Sequence, residues 1–225
     1  MMMAGVVAVT GAAGALGRAA VQVLRAAGWT VAGIDLGDVP ADGVDLALGG
    51  IDLSDEQAVA GAAAKIGEAL GGLDGLVNIA GGFSWETVED GSVATWDRLY
   101  GMNVRTALIA TRALLPLLRD GGGAIVNIGA AASVKAAAGM GAYAASKAGV
   151  ARLTEALAEE LKDAGVRVNA VLPSIIDTPA NRADMPDADV SRWVSPEALG
   201  GVIAFLLSPA AEPITGALIP VTGRV

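Results

Sequence analysis

The chain has 225 residues, 53% apolar and 17% charged, a length that fits one α/β domain (1–225) and a balance far from that of disordered chains. A formal charge of −9 opposes binding to nucleic acid or anionic lipid, since both require phosphate to be neutralised by Lys and Arg. With neither Cys nor His, disulfides are excluded and the commonest zinc ligands are missing, so no metal is expected.

The leading Met1-Met2-Met3 has no basic segment and no cleavage site after the first apolar stretch, and no apolar run reaches membrane-spanning length without a charged or polar break. A cytoplasmic protein without signal peptide is expected. Along the chain, short β-branched runs alternate with Ala/Leu-rich segments of helical period, the pattern of a doubly wound parallel sheet covered by helices on both faces. Strands are expected at 5–10, 30–35, 46–52, 73–79, 124–128, 166–172 and 217–221. Helices are expected at 15–27, 55–70, 95–118, 141–164 and 196–207, where Ala supplies helix propensity. Loops of interest are 81–91, 121–123 and the polar stretch 178–194, too long for an ordinary turn and of a length common in lids.

The tract Thr10-Gly11-Ala12-Ala13-Gly14-Ala15-Leu16-Gly17 follows the first strand and opens a helix, the context of a dinucleotide-binding turn in a Rossmann fold. Its glycines let backbone approach a pyrophosphate, which meets unpaired N–H groups at the helix start. Asp35 ends the second strand, where a carboxylate accepts both ribose hydroxyls of NAD and repels a 2′-phosphate, so NAD(H) is expected over NADP(H). Arg18, beside the turn, would tolerate that phosphate only if it faced inward; its place in the first helical turn is read as solvent-facing.

In this order of motifs the sequence resembles the short-chain dehydrogenase/reductase family over nearly its whole length. The landmarks are the turn at 10–17 with Gly11, Gly14, Ala15, Leu16 and Gly17; Asp52-Leu53; Asn78-Ile79-Ala80-Gly81; Asn103; Tyr143-Ala144-Ala145-Ser146-Lys147; and the 173–178 segment. The resemblance implies that Asp52 and Leu53 contact adenine, that Asn78, Ala80 and Gly81 border the cofactor, and that Lys147 holds the nicotinamide ribose. It further implies that Asn103 anchors a water linking Lys147 to solvent, that Thr178 bonds the carboxamide or phosphate, and that Pro173 and Ile176 lie over the nicotinamide. Two mild departures are Ile79 for a second Asn and Ser174 for the Gly that usually follows Pro173.

Tyr143 and Lys147 stand four residues apart, on one helical face, and a nearby ammonium lowers a phenol pKa towards working pH. Tyr143 is therefore the expected general acid/base with Lys147 beside it, and the resemblance implies Asn103 as a further catalytic partner. The Ser that the family places thirteen residues before the Tyr is Ala130 here. Loss of such a donor weakens the hold on a carbonyl oxygen, so either Ser133 substitutes or the substrate needs little polarisation. The Gly139-Met140 pair, Ala80-Gly81-Gly82 and the 172–189 tract are similar to the dihydropteridine reductase branch, which lacks this Ser and reduces a quinonoid ring. Trp85, Trp193 and Met185 fall in loops expected to cover the nicotinamide, which agrees with a flat or apolar substrate, though packing of the lid accounts for them equally. An oxidoreductase acting on a small molecule is the leading expectation; a carbonyl or alcohol enzyme working without that Ser, and a non-catalytic NAD-binding protein, are the alternatives. The family resemblance implies a homodimer or homotetramer paired through the helices at 95–118 and 141–164.

Overall fold

A computed structural model describes residues 5–118 and 122–225; the three leading methionines, and Gly121 at the start of the expected 121–123 loop, lie outside the described residues. The β-branched runs form β1 (Val6–Thr10), β2 (Thr30–Ile34), β3 (Leu46–Leu48), β4 (Gly75–Asn78), β5 (Gly123–Ile128), β6 (Val166–Pro173) and β7 (Leu218–Val221). They lie in the order β3-β2-β1-β4-β5-β6-β7, each parallel to its neighbours. The helices are α1 (Ala15–Ala26), α2 (Glu56–Leu70), α3 (Val93–Tyr100), α4 (Thr106–Leu114), α5 (Gly141–Leu161), α6 (Pro179–Asp184) and α7 (Pro196–Leu207).

All of β1 is buried because successive side chains enter two different cores. Val7 and Val9 pack with Leu16 and Leu24 of α1 and Leu199 and Ile203 of α7. Val6 and Ala8 join the opposite layer, with Val59 and Ile66 of α2, Ile109 and Leu114 of α4, and Leu157 of α5. From β1 the chain winds outward to β2 and β3, then returns to place β4 on the other side of β1. That reversal opens a crevice at the C-terminal ends of β1 and β4, where such sheets bind ligands.

Local chemistry sets the element ends. The Asp55 carboxylate accepts from the Gln57 and Ala58 N–H groups, so it caps α2 and the helix begins one residue later than expected. The strand expected over 46–52 stops at Leu48, because Gly49-Gly50 follows and Gly50 has φ of +71°, outside extended geometry. The single helix expected over 95–118 is divided. Ser92 caps α3, a wide π turn covers Gly101–Arg105 before α4, and the chain tightens into a 3₁₀ turn at Leu115–Leu117, where Pro116 has no N–H to donate. The expected long loop at 178–194 contains α6, with Thr178 as its cap and Pro179 in its first turn. No helix among the described residues is long and apolar enough to cross a membrane.

Candidate active site

The glycine turn meets its steric requirements at two residues. Gly11 has φ of +70° and packs on the Ala80 backbone, and a Cβ at Gly17 would overlap the Gly11 carbonyl. The first α-helical bond of α1 runs from Arg18 N to Gly14 O, and no side chain caps the helix start. The N–H groups at 15–17 thus sit at a positive helix end beside exposed Gly14 and Ala15, a cradle suited to a phosphate. Arg18 is exposed, as expected.

These residues line one side of a cleft of about 1050 Å³, whose walls include Asp35, Asp52, Leu53, Ala80, Gly81, Phe83, Met102, Tyr143, Lys147, Ile176 and Thr178. Gly11, Gly14, Ala15, Leu16 and Gly17 all border it, so the structure brings together most of the residues singled out in sequence. Asp35 does more there than expected. One carboxylate oxygen accepts from Ala13 N at 2.9 Å and the other from Gly37 N at 2.8 Å, tying the end of β2 to the glycine turn. Asp52 accepts from the backbone N–H and the hydroxyl of Ser54, which hold its carboxyl below the usual range.

Behind the cleft wall, which it does not itself line, the buried Asn103 amide clamps the backbone of Gly82 from both sides, accepting from its N–H at 2.9 Å and donating to its carbonyl at 3.0 Å. Its second N–H donates to Ser146 Oγ, which in turn donates to the Tyr143 carbonyl. Both side-chain donors of Asn103 are therefore spent on joining the end of β4 to α5. A Cβ at Gly81 would overlap Asn103 Oδ1 and stand 3.5 Å from Lys147 Nζ, so this glycine leaves the room that lets the two side chains converge. Lys147 Nζ donates to the Ile128 carbonyl at 2.8 Å.

Several expectations are corrected. Asn78 is buried away from the cleft, donating to Thr111 Oγ1 and Asn127 Oδ1 while its own Oδ1 is buried without a partner among the described residues; it braces β4 against β5 and α4. Pro173 is buried at the end of β6, paired with Val221, and does not line the cleft. Ser133 donates to the Ala130 carbonyl within a 3₁₀ turn and lies outside the cleft wall. Trp85, Trp193 and Met185 do not line the cleft either. Trp193 packs into the fold, and Trp85 lies over Gly139. The aromatic side chain in the cleft wall beside Tyr143 is Phe83, with ring centroids 4.9 Å apart and planes at 81°. Its signal in sequence was an aromatic directly after Gly81-Gly82 at a strand end. Arg98 on α3 and Met102 in the π turn also enter the wall unforeseen, the turn leaving no mark in hydrophobic period.

Residues 11–223 match the family model described as enoyl-(acyl carrier protein) reductase. The chain is 31% identical over 242 residues to 2-(S)-hydroxypropyl-CoM dehydrogenase 3 of Xanthobacter autotrophicus, covering 97% of this chain and 95% of that protein. It is 36% identical over 189 residues to the inactive 2-(S)-hydroxypropyl-CoM dehydrogenase 2 of the same organism, covering 77% and 82%. Among solved structures, a short-chain dehydrogenase/reductase from Serratia marcescens superposes with a TM-score of 0.85 at 28% identity, covering 99% of this chain and 97% of that one.

The electrostatics depart from the sequence expectation. Burial pushes the Tyr143 phenol up to about 12, and burial likewise brings Lys147 down to about 8. Loss of water at both groups outweighs the pull of the ammonium on the phenol, so Tyr143 holds its proton throughout the neutral range. For Lys147 the consequence for stability has a definite sign. The unfolded chain keeps that proton up to about 10.5 and the folded chain only to about 8, so the penalty is complete below pH 8 and fades as pH rises to 10.5. Lys147→Met is expected to stabilise the fold by on the order of 1–2 kcal/mol at pH 7, net of the lost bond to Ile128, and to give no gain near pH 10.5. Urea denaturation at the two pH values measures this.

Proposed function

Because the chain belongs to the short-chain dehydrogenase/reductase family, we propose that it is an NAD(H)-dependent oxidoreductase of small organic substrates in which Tyr143 is the general acid/base. The observation that carries the proposal is the sharing of one cleft by a phosphate-suited glycine turn, Asp35, Tyr143 and Lys147.

The chain's residues fit a dinucleotide. The turn at 11–17 and the start of α1 would hold the pyrophosphate, Asp35 the adenosine ribose, Asp52 and Leu53 the adenine, and Ile176 and Thr178 the carboxamide end. When bound, the nicotinamide supplies or accepts hydride. In reduction, the Tyr143 hydroxyl, protonated at neutral pH, gives its proton to the substrate atom that gains charge as hydride arrives; burial makes it a weaker acid, which the Lys147 ammonium beside it in the cleft would offset. Lys147, as ammonium, holds the nicotinamide ribose and offsets the charge left on Tyr143. Asn103 positions both by joining Gly82 to α5.

With Ala130 buried where a hydroxyl is usual, the substrate is one that takes hydride with little polarisation, an activated C=N or C=O group. A quinonoid dihydropterin meets this condition and heads the panel to be tested, with carbonyls and alcohols beside it. A second reading, a protein that binds NAD without turnover, draws support from Ala130 and from the relative whose name calls it inactive. Purified protein is expected to oxidise NADH with at least one member of the panel, and Tyr143→Phe to lower kcat at least 100-fold with NADH affinity unchanged. NADH binding with no turnover, indifferent to Tyr143→Phe, is the outcome that favours the second reading.

Asp35 carries the preference for NAD. Asp35→Asn keeps an acceptor oxygen and removes the charge, and is expected to shrink the ratio of NADH to NADPH affinity by about 10-fold or more, read by cofactor fluorescence titration. Exposed Trp96 and Tyr100 on α3 and Leu108 on α4 support assembly of copies of this chain through these helices. Light scattering is expected to give a dimer or tetramer mass, and Tyr100→Glu to lower it.

A further inference from the structure

We infer that Phe83 is the platform on which the substrate lies, so that the cleft selects molecules presenting a flat, conjugated face beside the reacting carbon. The inference rests on the oxidoreductase reading for the reaction itself, and on Phe83 for the choice of substrate.

A large apolar ring that is 52% exposed has not been spent on the core. Phe83 instead lines the cleft beside Tyr143, its ring nearly perpendicular to the tyrosine ring. The neighbouring walls are apolar at Met102, Ile128 and Ile176, while the position that usually offers a hydroxyl is Ala130 and the Ser133 hydroxyl is turned to backbone. A substrate reaching the Tyr143 hydroxyl is therefore recognised there mainly by contact with apolar faces, and an aromatic pair in edge or offset geometry rewards a flat ring over a puckered one.

The chain holds this ring in place from both directions. Immediately before it, Gly82 is clamped by Asn103. Beyond it, Trp85 Nε1 donates to the Ala138 carbonyl at 3.1 Å and Glu86 N donates to the Gly139 carbonyl at 2.8 Å. The strap thus runs from the end of β4 to the loop that leads into α5, the helix that bears Tyr143. Gly139 is required for it, since φ there is +74° and a Cβ would overlap the Trp85 ring. Trp85 acts through this strap as a positioning residue, which accounts for a tryptophan that neither enters the cleft nor packs in the core.

Acetophenone and cyclohexyl methyl ketone share a carbon skeleton and differ in ring planarity, so they serve as probes. Their binding to NAD⁺-loaded protein, a complex unable to reduce either, is measured by ligand-observed NMR titration. Wild-type protein is expected to bind acetophenone about 3- to 10-fold more tightly. Phe83→Leu should bring the ratio near one and Phe83→Tyr should keep it, both with NAD⁺ affinity within about 2-fold of wild type, which also reports that the fold is intact. Gly139→Ala, which displaces the strap without touching the ring, should lower the ratio too. Equal binding of the two ketones by wild type, no binding of either, or a preference that survives Phe83→Leu each overturns the inference. Failure to bind NAD⁺ would count against the oxidoreductase reading alone, because the ratio is still measurable on cofactor-free protein.

Discussion

The cleft depends on how the ends of β1 and β4 are joined. Thr10 Oγ1 accepts from the N–H groups of both Ile79 and Ala80 and donates back to the Val77 carbonyl, so one hydroxyl sets the height of the two strand ends. Gly11 then packs directly on Ala80, a contact that a side chain would prevent. From this joint the chain departs twice. After β1 it makes the phosphate-suited turn, and after β4 it makes the Gly81-Gly82 run that Asn103 clamps to α5. The spacing between the two halves of the site is thus set by the Thr10 hydroxyl and the Gly11 contact at the strand ends, and the loops inherit it.

The fold and half the site were legible because they depend on local rules. Seven strands and the paired glycine turn and Asp35 are written in periodicity and spacing, and each expected strand overlaps an observed one. What escaped depends on three-dimensional neighbours. Asn78 and Asn103 are both buried asparagines near one strand end, yet one braces β4 against β5 and α4 while the other spans β4 and α5, a division that only packing decides. The π turn at Gly101–Arg105 costs no apolar residue and leaves no sequence mark, although it sets which residues of that long segment face the cleft. The same holds for the choice of Phe83 over Trp85 as the ring beside Tyr143, since Trp85 is seated on Gly139, a residue distant in the chain.

Burial shapes the chemistry as firmly as it shapes the fold. Tyr143 and Lys147 pay a desolvation cost that a surface pair would not, and the result is a phenol that keeps its proton and an ammonium held by the single carbonyl of Ile128. Ala130, buried at 3% exposure, brings no hydroxyl to this environment. Burial thus weakens Tyr143 as an acid while keeping it protonated at neutral pH.

The double duty of Asp35 has a consequence for evolution and for redesign. Its carboxylate faces the cleft and also pins Ala13 and Gly37, so the proposed cofactor contact and scaffold rigidity share one side chain. A change to Asn discards the charge but leaves one acceptor oxygen for two N–H groups, so either Ala13 or Gly37 loses its bond. The trade therefore proceeds through paired changes, one at position 35 and another that restores the lost acceptor, and single exchanges are trapped between two poorly fitted states.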